Sequence, residues 1–377
     1  MENKPPPGGD PVAQFSLSGT PAGIFGHHLE LADRAMALNT AQSARARVLV
    51  TRRVFPDLLE QLREAHDVVD NQDDAPWTKA ELAARLAGVH GVLVDPARGV
   101  DAELLAAAPR LCVVSNVAVG FNNLDLAACT RAGVVATNTP DVLTDATADH
   151  AWALMLAAAR RVVESDRWTR GGNWRGFALD AFLGAEVHGA TLGIWGMGRI
   201  GLAIARRAQG FSMPVIYHNR TPLAPVDEQA AAPAPRWVER DELLATADFL
   251  VVLVPYSTAT HHLLGAAELA QMKPGSVLVN IARGGVVDDA ALVAALRARR
   301  PGAAALDVME NEPHLDPGLL PLDNVVLTPH IGSATRTARR GMVGLAMANL
   351  SDVLQGRRPR ALLNPQVWDS RRQYTPG

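Results

Sequence analysis

Cysteine is almost missing from this 377-residue chain: only Cys112 and Cys129 occur, each inside an apolar segment. Neither a disulfide framework nor a cysteine-based metal centre is expected, and both read as packing residues. Lysine is nearly absent too, confined to Lys4, Lys79 and Lys273, so arginine carries the positive charge. The formal net charge is -3, with no basic block, which argues against a surface that neutralises nucleic-acid phosphates. No apolar run approaches the ~18 residues of a membrane span, and the start, MENKPPPGGD, lacks the marks of a signal peptide. A cytoplasmic protein is expected. What is present is 48% hydrophobic and 20% charged residues, a composition that excludes dominant disorder and leaves room for two domains of ~150 residues each.

Residues 1 to 46 contain Pro5 to Pro7 and several glycines but little periodicity, so a mobile extension is expected there, with a short helix near Leu29 to Leu38. From Arg47 short β-branched runs alternate with amphipathic stretches: VLVTR, HDVVD, GVLVD, LCVVSNVAVG and VVATN, with helices between them. Apolar strands separated by helices predict a parallel sheet covered on both faces. One uninterrupted helix is predicted from about Thr147 to Arg170, opened by Thr and Asp caps and stopped by Gly171 and Gly172. A second alternation follows (TLGIWG, PVIYHN, RWVE, FLVVLVP, SVLVNI, AAALDV, VVLTPH), then a long helix to about Leu354 and a Pro- and Arg-rich tail. The expected architecture is α/β with two doubly wound parallel-sheet domains, flavodoxin-like and Rossmann, and a cleft between them. The first domain would be discontinuous, 47–145 plus 335–365, and the second would span 146–334.

Gly196-Met197-Gly198-Arg199-Ile200-Gly201 follows an apolar strand and opens a helix, the context in which G-x-G-x-x-G signals a dinucleotide. Gly196 permits the tight turn, Gly198 lets the backbone approach a pyrophosphate at the helix N-terminus, and Gly201 allows close helix–strand contact. The alternative is a merely tight turn. At the end of the next strand, where an NAD site places a carboxylate on the ribose, the sequence reads His218-Asn219-Arg220-Thr221, with no acid before Asp227. A 2′-phosphate would meet a guanidinium there, so NADP is favoured and NAD remains possible. The bland reading makes Arg220 a solvated turn residue.

Arg283, Asp307, Glu312 and His330 all lie near the C-terminal ends of later strands, where ligands of open α/β sheets bind. Reduction of a carbonyl beside a carboxylate needs a cation to hold the substrate, a proton donor, and a buried acid to support that donor; Arg, His and Glu supply those parts. Taken singly, Glu312 is better explained as a turn cap before Pro313, Arg283 as a surface pair and His330 as an edge histidine.

Together, VAVGFNNLDL, NTPDVLTDATAD, GMGRIG, VNIARGGVVD, ALDVMENEP and TPHIGSAT, in that order, resemble the D-isomer-specific 2-hydroxyacid dehydrogenase family, most closely its glyoxylate/hydroxypyruvate reductase branch. The likeness runs from about Arg47 to Leu363. It implies an oxidoreductase that reduces glyoxylate or hydroxypyruvate with NAD(P)H. It implies that Arg283 binds the substrate carboxylate and carbonyl oxygen, that His330 is the acid/base, and that Glu312 hydrogen-bonds His330. Val119 and Gly120 would receive the substrate carboxylate on backbone N–H groups, and Ser333 would add a contact. Around the cofactor it places Thr147, the glycine turn with Arg199 and Ile200, the 2′-side residues His218 to Thr221, and Val254, Pro255 and Thr260 over the adenosine half. Ile281, Ala282, His330 and Gly332 would also line the cofactor, with Asp307 on the nicotinamide carboxamide. A homodimer through the cofactor domain is implied, in which Trp174 or Phe177 reaches the partner's pocket. A larger 2-oxo acid (2-ketogluconate, branched or aromatic) is the alternative substrate, and a corepressor-like, dinucleotide-gated interaction protein the alternative class. Phosphoglycerate dehydrogenase fits less well, because little chain follows the last helix.

No metal site is assigned: His261 and His262 are adjacent, so their side chains are expected to point apart, and His27 and His28 fall in the extension. His66, His90, His150, His188 and His314 are read as surface or edge residues.

Overall fold

A computed structural model describes residues 45–224 and 234–375. The extension expected over 1 to 46, but for its last two residues, lies outside the described residues, as do its helix and Asp227. The first sheet is built from β1 (Arg47–Val50), β2 (Asp67–Asp70), β3 (Gly91–Val94), β4 (Val113–Asn116) and β5 (Val135–Thr137), all parallel, in the order β2-β1-β3-β4-β5. The interior strands GVLV and VVSN are buried at every position, which is why they read as continuous apolar runs and not as alternating ones. The connecting helices are α1 (Pro56–Ala65), α2 (Lys79–Leu86), α3 (Ala102–Ala106) and α4 (Leu126–Arg131). Their starts obey local chemistry: Thr78 and Glu81 form a reciprocal capping box on α2, and Asp101 and Asp125 cap α3 and α4.

The long helix predicted from Thr147 to Arg170 is two helices, α5 (Thr144–Ala159) and α6 (Val162–Arg170). Between them Arg161 adopts a left-handed φ of 53° and its guanidinium pairs with Glu164. The sequence contains no Gly or Pro at the break, so propensity gave no warning; instead Ala185 N–H bonds the carbonyl of buried Ala159, and a Cβ on Gly184 would sit 2.2 Å from that oxygen. No side chain caps α5 either, contrary to the expected Thr/Asp cap, since its N-cap residue is Leu143.

The second sheet orders β6 (Leu192–Trp195), β7 (Val215–His218), β8 (Arg236–Trp237), β9 (Phe249–Val252), β10 (Val277–Asn280), β11 (Ala303–Leu306) and β12 (Val325–Leu327) as β12-β11-β10-β9-β6-β7-β8. All pairs are parallel, and the order reverses between β6 and β9, the crevice where such sheets bind ligands. Helices α7 (Arg199–Ala208), α8 (Arg240–Thr246), α9 (Ala266–Gln271) and α10 (Asp289–Arg297) complete the layers, with α5 packed on β10 to β12 and on α7.

The last helix, α11 (Arg336–Leu354), returns to the first sheet and lies on β3 and β4. Gly91 admits it: a Cβ there would meet Leu350 Cδ1 at 3.1 Å. Ser115 Oγ donates to the Ala346 carbonyl, and buried Asn364 bonds Ala136 N–H and the Val134 carbonyl, tying the tail beside β5. Among the described residues no helix is long and apolar enough to cross a membrane.

Candidate active site

The glycine turn sits at the β6 end of the crevice. Gly196 has φ 103°, and an added Cβ would lie 2.7 Å from the Val254 nitrogen, so only glycine fits where this turn crosses the end of β9. Gly198 stands at the N-cap of α7, with no side-chain cap and nothing within 4 Å of where a Cβ would point. That open, uncapped helix start fits a pyrophosphate on main-chain N–H groups. Gly201 packs close to Met197 and Ile194, as a tight helix–strand contact requires. Arg199 turns its side chain to Asp141, 3.0 Å away, while Ile200 joins a small apolar cluster with Val119, Leu143 and Met342.

On the 2′ side the four expected residues divide. Asn219 is committed to the glycine turn, accepting from Met197 N–H at 2.7 Å and donating to the Met197 carbonyl at 2.8 Å. His218 Nδ1 lies 2.9 Å from the Val238 carbonyl. Arg220 and Thr221 are exposed, and Arg220 makes no ion pair with the described residues.

Across the cleft, Arg283 reaches from the end of β10 to the loop after β4. A Cβ on Gly120 would lie 1.9 Å from Arg283 Nη2, so that glycine is required for the guanidinium to be where it is, and one on Gly284 would lie 1.9 Å from the Met309 carbonyl, so the backbone beside Arg283 passes close to the segment that carries Glu312. Arg283 Nε donates to Asn122 Oδ1 (3.3 Å), and Nη1 donates to the Ala282 carbonyl (2.7 Å). Burial pushes the guanidinium's pKa down, and the charge of nearby Glu312 opposes that. Asn122 was not assigned in the sequence, although it stands inside the quoted VAVGFNNLDL run. Its neighbours explain the loop: Asn116 Nδ2 donates to the Gly120 carbonyl, and Asn123 Nδ2 to the Arg98 carbonyl. Val119 packs against the same apolar cluster as Ile200, and Asn138 Nδ2 donates to the Val119 carbonyl.

His330 and Glu312 form a dyad, with Nδ1 and Oε2 2.8 Å apart. The acid expected to be buried is not: the side chains of His330 and Glu312 are 38% and 31% exposed. Glu312 is held by the Met309 N–H on Oε1 instead of by enclosure. His330 has a left-handed φ of 54°, and Asp307 supports that strained turn. Asp307 is buried, and its carboxylate accepts from Ile331 N–H (2.8 Å), Gly332 N–H (2.7 Å) and Thr328 Oγ1 (2.7 Å), while its carbonyl accepts from His330 N–H (2.9 Å). His150 Nε2 adds a further contact with Asp307, at 3.2 Å. His150 is thus no surface residue but part of the lattice behind His330, a role hinted at by its place one helical turn after Thr147. Thr147 itself is buried, with its Cγ2 3.5 Å from where a Gly332 Cβ would lie.

Ile281 and Ala282 are buried after β10, and Ser333 is half-buried with its carbonyl bonded to Thr335 N–H. In the loop after β9, Val254 packs on the core and Pro255 is exposed, while Thr260 Oγ1 donates to the Pro255 carbonyl and accepts from Ser257 N–H, so this hydroxyl builds the loop. Two other histidines correct the sequence reading. His66 and His90 are buried, at 4% and 8% exposure, and burial pushes His66 down to about 4. His261 and His262 do not point apart: their rings stack 3.9 Å centroid to centroid, because His262 is left-handed (φ 51°) and lies on neither a helix nor a strand. Trp174 and Phe177, 64% and 88% exposed, stand in an arm after α6 with Leu179 and Leu183 also exposed.

Residues 152–332 match the family described as D-isomer specific 2-hydroxyacid dehydrogenase, NAD binding domain. The glyoxylate reductase of Thermococcus onnurineus is 45% identical over 330 residues, 86% of this chain and 98% of that protein. The chain belongs to the D-isomer specific 2-hydroxyacid dehydrogenases. It is therefore an NAD(P)-dependent oxidoreductase acting on CH–OH, with a nicotinamide dinucleotide as its cofactor. The same dehydrogenase is similar to glyoxylate/hydroxypyruvate reductase B of Shigella boydii, 41% identical over 85% of this chain and 99% of the relative. Among solved structures it resembles the NADPH-dependent glyoxylate/hydroxypyruvate reductase of Sinorhizobium meliloti in complex with NADP and malonate (TM-score 0.75, 34% identity, 85% of this chain and 98% of the other).

Proposed function

We propose that this dehydrogenase reduces small 2-oxo acids, glyoxylate to glycolate and hydroxypyruvate to D-glycerate, with NADPH preferred over NADH. The observation that carries the reading is the placement of Arg283 against Gly120, with the Glu312–His330 dyad close enough for the Glu312 charge to act on the guanidinium. A cation, a carboxylate-free loop of main-chain N–H groups and a held imidazole suit a short acid with a carbonyl beside its carboxylate. Arg283 takes the substrate carboxylate and the carbonyl oxygen, aided by Val119 and Gly120 N–H and by Ser333. A nicotinamide dinucleotide held at Gly196, Gly198 and Gly201 and at the uncapped start of α7 would supply the hydride for the carbonyl carbon. His330, whose Nδ1 is occupied by Glu312, delivers a proton from Nε2 to the forming alkoxide, and Arg283 stabilises the negative charge that develops there. Glu312 fixes the ring and balances its charge. Asp307, on this reading, sets the nicotinamide end of the site by holding the His330–Gly332 turn.

NADPH is favoured because Arg220 and Thr221 are exposed at the end of β7, where no acid stands, and because the Sinorhizobium relative is NADPH-dependent. The first sheet with α11 and the tail (47–145 plus 335–365) is proposed as the substrate domain and 146–334 as the cofactor domain. The exposed Trp174–Leu183 arm is proposed to pair two copies, with Trp174 or Phe177 at the partner's pocket. The test is initial-rate oxidation of NADPH and NADH with glyoxylate, hydroxypyruvate, 2-ketogluconate, pyruvate and phenylpyruvate, compared as kcat/KM. The two smallest polar acids with NADPH should lead. Preference for a bulky acid moves the substrate, and no turnover with tight cofactor binding favours an interaction protein.

A further inference from the structure

A second polar cluster forms where the loop after β9 meets the loop after β11. Oε1 of Glu310 lies 2.7 Å from His262 Nε2, the His261 ring stacks on that of His262, and one ligand atom from each of the three lies within 4.8 Å of the others. We propose that His261, His262 and Glu310 are a binding site for a divalent transition-metal ion such as Zn²⁺, which would bridge the loop 255–262 to the segment that carries Glu312.

Two imidazole nitrogens and one carboxylate oxygen form a set that Zn²⁺, Co²⁺ or Ni²⁺ accepts, whereas Mg²⁺ and Ca²⁺ require oxygen ligands. Outer partners for the rings are already in place: Tyr256 Oη lies 3.3 Å from His261 Nδ1, and Asp288 Oδ2 lies 3.7 Å from His262 Nδ1. Such contacts orient imidazole ligands and raise their basicity. Asp289 Oδ2 accepts from Glu310 N–H (2.9 Å), which fixes the backbone of the third ligand. The charges of Glu310, Asp288 and Asp289 all act on His262, and a cation is drawn to that excess. Ligands of a tetrahedral ion lie ~3.4 Å apart, so closure asks for movement of about an ångström in side chains that are partly exposed. Gly285 marks how near this is to the cleft: its Cβ would lie 3.5 Å from His261 Nδ1 and 3.6 Å from Glu310 Oε1, two residues from Arg283. With three ligands from protein, the fourth position stays open to water.

The experiment is calorimetric titration of the full chain with Zn²⁺ in excess Mg²⁺, without substrate or dinucleotide, so its outcome does not depend on the reductase reading. Wild type should bind Zn²⁺ saturably, and His261→Ala and Glu310→Gln should each weaken binding by about tenfold or more, the scale of loss seen when a metal's surroundings are disturbed. His330→Ala should bind Zn²⁺ as wild type does. His261 is exposed, so its replacement should leave the fold intact, which the circular dichroism spectrum checks. Absence of saturable Zn²⁺ binding, or wild-type affinity in both His261→Ala and Glu310→Gln, overturns the proposal.

Discussion

An alanine at Gly120 would place its Cβ inside the Arg283 guanidinium, so Gly120→Ala must move the arginine. A displacement of about an ångström at a substrate-holding group costs on the order of 10²-fold, which predicts that drop in kcat/KM with the Kd for NADPH unchanged by fluorescence titration. His330→Ala should lower kcat by ~10²–10⁴ while leaving NADPH affinity intact, and a near wild-type kcat would remove His330 from the proton transfer. Arg220→Asp places a like charge against a 2′-phosphate and should shift the NADPH/NADH ratio of kcat/KM towards NADH; an unchanged ratio would dismiss Arg220 as the selector. Gly120 and His330 could be singled out because each sits inside a short motif whose chemistry calls for that residue type, and Arg220 because no acid stands beside it. Asn122 and His150 were not, because an amide and an imidazole acquire meaning only from what they face: Arg283 in one case, Asp307 and Thr328 in the other.

Strands and helices followed the apolar pattern closely, since a strand buried on both faces has few residue types to choose from. The break between α5 and α6 escaped because its cause is tertiary, a carbonyl of Ala159 taken by Ala185 N–H instead of by the next turn. The same helix shows how an element supports the site. His150 on α5 lies 3.2 Å from both Asp307 Oδ1 and Thr328 Oγ1, between β11 and the end of β12, and Asp307 holds the turn on which His330 is strained. His150→Phe is expected to lower kcat about tenfold, equivalent to ~1.4 kcal/mol of lost positioning, and to speed amide exchange over residues 328–333. Unchanged exchange there would show that α5 does not brace the turn.

For the molecule as a whole, stability should depend on pH through buried groups that join its parts. His66 links the end of α1 to Ser351 of α11, and burial holds it at about 4 against an ordinary 6.5. Between those values the unfolded chain takes up the proton and the folded one resists it, so this contribution is present at neutral pH and lost as pH falls from about 6.5 to about 4. Asp289 works in the opposite sense: burial raises its carboxyl from 3.8 to about 6, so its contribution is lost as pH rises through that window. Comparison with His66→Gln separates the two; urea unfolding should show a shallower fall between pH 7 and pH 5 in the variant, the His66 share being at most roughly 3 kcal/mol. Equal slopes would remove His66 as the acid-sensitive joint. The sequence alone determined the two parallel sheets and the glycine turn between strand and helix, and it singled out Arg283, Glu312 and His330 as candidates, because hydrophobic period and short motifs are local properties of the chain. Only the tertiary structure decided that Asn219 is committed to the glycine turn, that the Glu312–His330 dyad is partly open, and that His261 and His262 share one face. Each depends on backbone conformations and neighbours brought together from distant segments, which no local pattern encodes.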